Sequence, residues 1–350
     1  MSARSAFGLI TAVGEDRAGA IRFVAPSRVE EVPADGVGQV QWLEESEIER
    51  RLQTLRSDAA AWRELHDTGH FSLAGAQPKT GLLHDGTRWG VPSGRTPTTH
   101  ILKPGTLGLD GHAENEHFCL VLARSLGLPA ASSKVGRFGS EVAIVVERCD
   151  RLRTDAGIQR VHQEDTCQAL GIPPSRKYEN EGGPGAAAVV SILRQHSRAP
   201  EEDVATFVDA LVYNWLIAGT NGHAKNYSFL LGAGGKVRLA PLYDVASVLP
   251  YEAMRLQKVK LAMKLGGVYR LRDTGLHAWR KLAGELELDE TTVVDRVGRM
   301  AASMPDTASA VAKRERENGL NHPVVDRLVE RLQERSLRCA KALLYDTSTC

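Results

Sequence analysis

The stretch NGHAKNYSFLLGAGGKVRLAPLYDV, residues 221–245, carries the pattern that decides the fold. It follows DVATFVDALVYNWLIAGT (203–220), which is apolar on almost every side and therefore predicts a buried central helix. Within the stretch, Gly-Ala-Gly-Gly at 232–235 separates two apolar runs and predicts a hairpin. Asn226 lies before this hairpin and Asp244 after it, so their oxygen atoms could together bind magnesium. Taken alone, Asp244 could equally be a capping residue of the next segment.

The loop NGHAKN (221–226) has the spacing of a catalytic loop for phosphoryl transfer. In kinases, a base aspartate precedes a metal-binding asparagine in the pattern D-x-x-x-x-N. Here Asn221 occupies the base position and Asn226 the metal position. Lys225 would steady the γ-phosphate, and His223 would brace the loop by packing and hydrogen bonding. The alternative is a helix end followed by an ordinary turn, because Asn-Gly is a common turn dipeptide.

An earlier segment, SLAGAQPK (72–79), is a candidate phosphate-binding loop. Small residues let the backbone approach phosphates closely, and free N–H groups can surround them. Lys79 would add positive charge. The alternative is a plain β-turn at Gly75, since a lone glycine loop is a weak signal.

A lysine and a glutamate follow this loop at positions suited to holding a nucleotide. Lys103 ends the predicted strand THILKP (99–104), and Glu116 lies on the predicted helix HAENEHFCLVLARSLGL (112–128). A strand lysine held by a helix glutamate would contact the α- and β-phosphates. The alternative is a surface ion pair, which contributes little stability.

The remaining pattern predicts an α+β protein with a small β-rich N-lobe and a larger, mostly helical C-lobe. Two strands are predicted around a turn at residues 84–87, because Asp-Gly is a strong hairpin signal. Residues 140–151 predict a strand leading into a charged connector, and residues 18–24 and 43–55 predict a strand and a helix. The predicted segments are an N-terminal remnant at 1–68, the N-lobe at 69–151 and the C-lobe at 152–350.

Composition excludes several classes of protein. The net charge of +1 argues against nucleic-acid binding by the chain as a whole, so any such binding would need a local patch or a partner. No run of 18 apolar residues is present, which predicts no membrane span. The five cysteines are far apart and form no C-x-x-C pair, so we expect reduced thiols in the cytoplasm and no zinc site.

Together these segments resemble one family, the HipA toxin kinases. The resemblance extends from about Ala6 to beyond residue 320. It implies a kinase-like fold with a small N-terminal lobe and a large helical C-terminal lobe. The segments that carry it are SLAGAQPKTGLL, PTTHILKP, ENEHFCLVLARSLGL, VVERCDR, HQEDTCQALG, KYENEGGPG, GHAKNYSFLL and LAPLYDV.

The resemblance implies ATP and Mg²⁺ as cofactors and assigns roles to individual residues. Asn226 and Asp244 would hold magnesium, and Ser72 matches a serine whose autophosphorylation silences such kinases. A phosphate at Ser72 would add roughly two negative charges beside those of ATP, so inhibition is physically reasonable. The residues implied in ATP binding are Ala74, Gly75, Ala76, Gln77, Lys79, Lys103 and Glu116, with a hinge at Glu147, Arg148 and Cys149.

One departure from the family pattern concerns catalysis. Family members carry T-D-G/A-H-A-K-N where this chain has Thr220-Asn221-Gly222-His223. An amide cannot accept the proton of the substrate hydroxyl. Because a general base typically contributes about 10²- to 10⁴-fold, we expect transfer to be largely lost and ATP binding to be kept. The sequence is compatible with a natural pseudokinase or with a substitution made to inactivate the enzyme.

A second departure concerns the N-terminus and the expected partners. AFGLITAVGEDRAGAIRF resembles only the end of the family's N-terminal subdomain. We therefore expect a separate small protein to supply the missing part, together with a helix-turn-helix antitoxin of the HipB type that would provide the only contact with DNA. The family's targets are host proteins, the aminoacyl-tRNA synthetases.

Three functions are compatible with the sequence. The leading one is a toxin–antitoxin kinase that phosphorylates serine or threonine on a host protein. The second is a catalytically dead, ATP-binding scaffold that holds an antitoxin on operator DNA. The third is a small-molecule phosphotransferase, which shares the base and metal layout but lacks the AGAQPK and KYENEGGPG segments.

Overall fold

The computed structural model describes Asp16 and residues 18–21, 23–24, 38–58, 77–155 and 157–345. Packing divides the chain into two units. The first unit comprises Met1–Ala113 and Ser132–Gln163, and the second comprises Glu114–Ala131 and Glu164–Cys350. Within the described ranges, every helix is too short or too polar to cross a lipid bilayer.

The first unit is built around one antiparallel sheet. Its strands are β1 (Val40–Leu43), β2 (Thr80–His84), β3 (Trp89–Pro92), β4 (His100–Pro104), β5 (Ser133–Phe138) and β6 (Glu141–Glu147). They are arranged in the order β1-β3-β2-β4-β6-β5. A helix, α1 (Glu45–Ser57), follows β1, and a hairpin of β7 (Arg151–Thr154) and β8 (Gly157–Arg160) follows the sheet.

Helix α1 packs on this sheet because its sequence is amphipathic. Glu44 and Glu47 close its N-terminus with a reciprocal capping box. One side of the helix is buried in a single cluster that consists of Ile48, Leu52 and Leu55 with the sheet residues Leu43, Leu82, Val91, Leu102, Phe138, Ala143 and Val145. Burying each large aliphatic side chain stabilises the fold by roughly 1.5–3 kcal/mol, so these contacts are the main force that holds α1 in place.

The predicted hairpin between β2 and β3 is confirmed. The Asp85 carboxylate accepts hydrogen bonds from the backbone N–H groups of Thr87 at 2.9 Å and Arg88 at 2.7 Å. Gly86 has a φ of +111°, which a residue with a side chain rarely adopts. The Asp-Gly pair thus specified this turn through local geometry alone.

The second unit is mainly helical. Its helices are α2 (His112–Ser125, in this unit from Glu114), α3 (Thr166–Ala169), α4 (Ala186–His196), α5 (Pro200–Leu216), α6 (Leu276–Glu285), α7 (Glu290–Glu317) and α8 (Pro323–Tyr345). Strands β9 (His162–Asp165), β10 (Ser228–Gly232) and β11 (Lys236–Leu239) form a sheet in the order β11-β10-β9. Strands β12 (Lys260–Leu265) and β13 (Val268–Arg270) form a hairpin.

Helix α5 is the buried central helix that the sequence predicted. Phe207, Tyr213 and Trp215 are fully buried on different sides of it. The Trp215 ring meets the Trp279 ring of α6 edge-on, with centroids 5.5 Å apart. Arg335 of α8 donates to the carbonyl oxygens of Trp215 at 2.9 Å and Leu216 at 3.0 Å. This arginine therefore supplies additional hydrogen-bond donors to two carbonyls in the last turn of α5.

The strand prediction was incomplete. Strands β1, β5, β7, β8, β9, β12 and β13 had not been predicted, because most are short and lack a clean apolar alternation. The described residues of the predicted strand at 18–24, which are 18–21 and 23–24, are in no strand.

Candidate active site

The loop that joins α5 to β10 is fixed by the side chain of Asn214. The Asn214 amide donates to the Ala210 carbonyl at 3.0 Å and to the Tyr227 hydroxyl at 3.1 Å. The Gly219 N–H donates to the Asn214 carbonyl at 2.7 Å. A Cβ at Gly219 would lie 2.4 Å from the Asn214 side-chain oxygen, so only glycine fits there. The loop therefore leaves the helix in a defined direction.

Asn221, Asn226 and Asp244 form one hydrogen-bonded cluster in the second unit. The Asn221 Nδ2 donates to Asp244 Oδ2 at 2.8 Å, and the Asn226 Nδ2 donates to the same oxygen at 3.3 Å. The Asn226 Nδ2 also donates to the backbone carbonyl of Asn221. The structure thus brings the predicted base position and the two predicted metal ligands together.

Asp244 is held in an unusual backbone conformation. Its φ is +59°, in the left-handed region, which costs of order 1–3 kcal/mol for a residue other than glycine. The preceding residues fix it there. The Leu242 N–H donates to the Pro129 carbonyl at 2.8 Å, and the Tyr243 hydroxyl donates to the Lys225 carbonyl at 2.8 Å. Strained residues of this kind cluster at functional sites, where the surrounding structure holds them in place.

The donor atoms of this cluster fit magnesium. The amide nitrogen of Asn226 has two acceptors, so its oxygen is the end of the side chain that remains for a cation. Asp244 supplies a carboxylate. Among the described residues, no group of three or more His, Cys, Asp or Glu side chains could hold a metal by itself. Magnesium usually has only one or two protein ligands and completes its shell with phosphates and water, so two residues suffice.

Lys225 is fixed by an acidic partner that the sequence analysis had not identified. Its Nζ lies 2.5 Å from Asp165 Oδ2, and both side chains are largely buried. The other oxygen of Asp165 accepts the backbone N–H of Gln168 at 3.0 Å, as the N-cap of α3. The capping-box pattern Asp-x-x-Gln was visible in HQEDTCQ, but its pairing with Lys225 was not.

We expect Asp165→Asn to lower the free energy of unfolding by roughly 3 kcal/mol, because it leaves the buried Lys225 ammonium without its counter-charge. Asparagine is also a good N-cap, so α3 should be kept. Urea denaturation measures the change. The control is Asp326→Asn, since Asp326 pairs with Arg316 on the surface and should contribute less than about 1 kcal/mol. Equal effects of the two substitutions would contradict the assignment.

His223 is a neutral packing group at neutral pH. It is only 4% exposed, and its ring meets the Tyr178 ring edge-on with centroids 5.0 Å apart. Burial and the nearby Lys177 ammonium lower the pKa of His223 to about 4. Its backbone N–H donates to the Asn221 carbonyl at 2.8 Å. This geometry is compatible with the predicted bracing role.

The low pKa of His223 predicts a pH-dependent loss of stability. Between its unfolded pKa of 6.5 and its folded pKa of about 4, the unfolded chain binds more protons, so stability falls as pH falls through this window. From pH 7 to pH 5 this group should remove about 2 kcal/mol. In the variant His223→Phe, the unfolding free energy should therefore decrease less over this range than in the parent chain. Parallel curves from urea denaturation would refute this.

The candidate nucleotide residues of the first unit are only partly described. Lys103 is buried on β4, opposite Ile144 of β6, and Gln77 and Lys79 are half-buried just before β2. Glu116 is buried on α2 and belongs to the second unit. Its pairing with Lys103 therefore stays a prediction. Ser72, Ala74, Gly75 and Ala76 lie outside the described residues.

The predicted hinge follows the end of β6. The Glu147 N–H donates to the Ser132 carbonyl at 2.8 Å. The Arg148 guanidinium is engaged with Asp150, at 2.8 Å and 3.0 Å, which directs this side chain into the first unit. Burial, with a smaller contribution from Asp150, raises the pKa of the Cys149 thiol to about 12, so this cysteine is unreactive at neutral pH. Any nucleotide contact of Arg148 would therefore use its backbone.

Sequence reasoning also missed a buried charge network beside this hinge. Asp16 accepts a hydrogen bond from the Thr98 N–H at 2.9 Å and pairs with Arg151 at 2.8 Å. Burial alone would raise the pKa of the Asp16 carboxyl, but Arg148, Arg151 and Arg160 outweigh it and hold that pKa below its usual value. Nothing in the linear pattern links Asp16 to residues more than 80 positions away.

The sequence also matches a known family. The model of the HipA-like C-terminal domain matches residues 71–308, which include the whole Asn221–Asp244 segment. Y4mE of Sinorhizobium fredii, named as a kinase, is 35% identical over 312 residues, which are 88% of this chain and 71% of that protein. The serine/threonine-protein kinase toxin HipA of Shewanella oneidensis is 32% identical over 327 residues, covering 89% of this chain and 72% of the relative.

The fold is also that of a solved structure. The Shewanella oneidensis HipA in a complex with HipB and operator DNA superimposes with a TM-score of 0.79 and 24% identity. The match covers 97% of this chain and 82% of that one. The predicted α+β, kinase-like fold is therefore confirmed.

Proposed function

This chain belongs to the HipA-like kinase family, and from that membership we propose that it is built as an ATP- and magnesium-dependent serine/threonine protein kinase toxin. The observation that carries the proposal is the cluster of Asn221, Asn226 and Asp244 at the end of a buried helix. This cluster supplies oxygen ligands for magnesium next to position 221, whose side chain would activate the substrate hydroxyl.

Each residue of the cluster has a separate task in phosphoryl transfer. Asn226 and Asp244 would hold the magnesium, which neutralises phosphate charge when it is bound. Lys225, kept in place by Asp165, would lie against the transferred phosphoryl group. The side chain at position 221 would orient the acceptor hydroxyl. Because Asn221 donates a hydrogen bond instead of accepting a proton, this chain should bind nucleotide and transfer phosphate very slowly.

The biological role that follows is growth arrest through a phosphorylated host protein. The family resemblance suggests an aminoacyl-tRNA synthetase as the target and Ser72 as a site of inhibitory autophosphorylation. The Shewanella relative is solved together with HipB and operator DNA, so a HipB-like antitoxin is the proposed partner of this chain. Contact with DNA would then be indirect.

A second function is favoured by the Asn221 amide. It donates to the carboxylate of Asp244 and so stabilises this cluster without any metal. A chain of this kind could serve as an ATP-binding scaffold that holds an antitoxin on operator DNA without catalysis. Both functions require nucleotide binding, and they differ in whether restoring the aspartate restores activity.

Nucleotide binding is the first test. Calorimetric titration of the purified chain with ATP should give saturable binding of one nucleotide per chain in the presence of Mg²⁺. Binding should weaken when EDTA replaces the metal, because Asn226 and Asp244 then have no cation to share with the phosphates. The control is AMP, which lacks the β- and γ-phosphates. No binding of ATP at millimolar concentration with Mg²⁺ present would refute the proposal.

A further inference from the structure

The segment KYENEGGPG (177–185) is a tightly wound loop of the second unit that supplies none of the proposed magnesium ligands. The Tyr178 carbonyl accepts the N–H groups of Glu181 at 3.0 Å and Gly183 at 2.9 Å. Gly182 has a φ of +82°. A Cβ on Gly183 would lie 2.2 Å from the Arg176 carbonyl oxygen, so the glycine is required for the loop to close.

The same loop is anchored to β12. The Glu179 carboxylate accepts the backbone N–H of Lys264 at 2.6 Å, and the Lys264 ammonium lies 3.8 Å from it. A Cβ on Gly185 would meet that carboxylate at 2.6 Å. Because both its winding and its attachment depend on close contacts, the loop is a rigid support for whatever its side chains bind.

This loop contacts the catalytic loop directly. The Ala224 N–H donates to the Lys177 carbonyl at 3.3 Å, and the Tyr178 ring packs edge-on against His223. Burial raises the pKa of the Tyr178 hydroxyl, with smaller contributions from the negative charges of Glu181 and Asp244.

Two hydrogen-bond donors of the loop have no acceptor within the described part of the chain. The Tyr178 hydroxyl makes no hydrogen bond there, although its ring packs against His223. The Lys177 ammonium lies over the Tyr178 ring, 5.2 Å from its centroid, and pairs with no carboxylate among the described residues. Both side chains are half-buried, so a donor that binds nothing would lose part of its hydration without compensation.

We propose that residues 177–185 form the acceptor platform of this enzyme, on which Lys177 and Tyr178 bind the segment of a protein substrate that carries the reacting hydroxyl. The inference rests on the proposed kinase function and identifies where the protein substrate lies. The two donors fit acceptor oxygens, which are the main-chain carbonyls or a carboxylate of an extended peptide. Tyr178 is a positioning residue, because it would hold the peptide beside position 221 and take no part in the transfer.

Lys177 and Tyr178 could instead bind the phosphates of ATP. Kinetic measurements distinguish a peptide-binding site from a phosphate-binding site. The test uses the full chain with Asn221→Asp, so that transfer is measurable, and adds either Tyr178→Phe or Lys177→Gln. Tyr178→Phe keeps the ring contact with His223 and removes only the hydroxyl. Lys313→Gln, an exposed lysine of α7, is the matched control. The acceptors are the unsubstituted chain, which carries Ser72, and myelin basic protein.

Loss of one donor should raise KM for the protein acceptor about 3- to 10-fold, with kcat, ATP affinity and the slow hydrolysis of ATP by water changed less than about twofold. The control should change none of these. Weaker ATP binding in Tyr178→Phe or Lys177→Gln would overturn the inference in favour of a phosphate site, and unchanged KM for both acceptors would overturn it outright. ATP hydrolysis without transfer to either acceptor would also overturn it. A parent variant that neither binds nor hydrolyses ATP would instead refute the proposed function itself.

Discussion

Replacing Asn221 with aspartate is expected to raise the rate of phosphotransfer about 10²- to 10⁴-fold. The new carboxylate would accept the proton of the substrate hydroxyl, which an amide cannot do. All the surrounding contacts are already formed, since Asn226 donates to the backbone of residue 221 and Lys225 is held by Asp165. Labelled ATP and detection of phosphoprotein measure the change.

The matched control for this substitution is Asn221→Ala. It removes the same amide but adds no base, so transfer should remain as slow as in the parent chain.

A second readout does not depend on activity. In the Asn221→Asp variant, two carboxylates would meet where the amide and Asp244 are now 2.8 Å apart, and they would repel. Mg²⁺ should therefore raise the melting temperature of the variant more than that of the parent. Slow transfer together with normal ATP binding in the variant would favour the scaffold function.

Asp244→Asn is expected to have the second-largest effect. In the Asn221→Asp variant, it should lower phosphotransfer by about 10³-fold, because a lost magnesium carboxylate removes several kcal/mol of transition-state stabilisation. In the parent chain, which has Asn221, it should remove most of the effect of Mg²⁺ on ATP affinity. Calorimetry with and without EDTA measures the second effect.

Asparagine is the suitable replacement for Asp244, because it should leave the backbone conformation of this residue unchanged. The residue has a φ of +59°, and asparagine is among the few residues that tolerate this region. The backbone should therefore remain in place, whereas alanine would add strain. Asp306→Asn, an exposed position on α7, is the control and should leave both measurements unchanged. If Asp244→Asn retained full Mg²⁺ dependence, the metal site would have to be sought elsewhere.

Local signals in the sequence were reliable where neighbouring residues define the geometry. Asp85-Gly86 predicted a hairpin, and the structure shows the Asp85 carboxylate closing that turn. The apolar run at 203–220 predicted a buried helix, found at Pro200–Leu216. Both predictions succeeded because periodicity and turn chemistry act over a few residues. Strands β5 and β12 were missed although each is six residues long, because their partners rather than their own patterns stabilise them.

The sequence by itself determined the family, the α+β kinase-like fold and the loop spacing that places Asn221 five residues before Asn226. These features follow from contiguous residues, because local geometry depends on residues that are close together in the sequence. Only the tertiary structure decided that Asp165 holds Lys225, 60 residues away, and that the Tyr178 ring packs on His223. Such pairs form when distant segments pack around a common core. The spacing of residues along the chain does not predict which of their side chains come into contact.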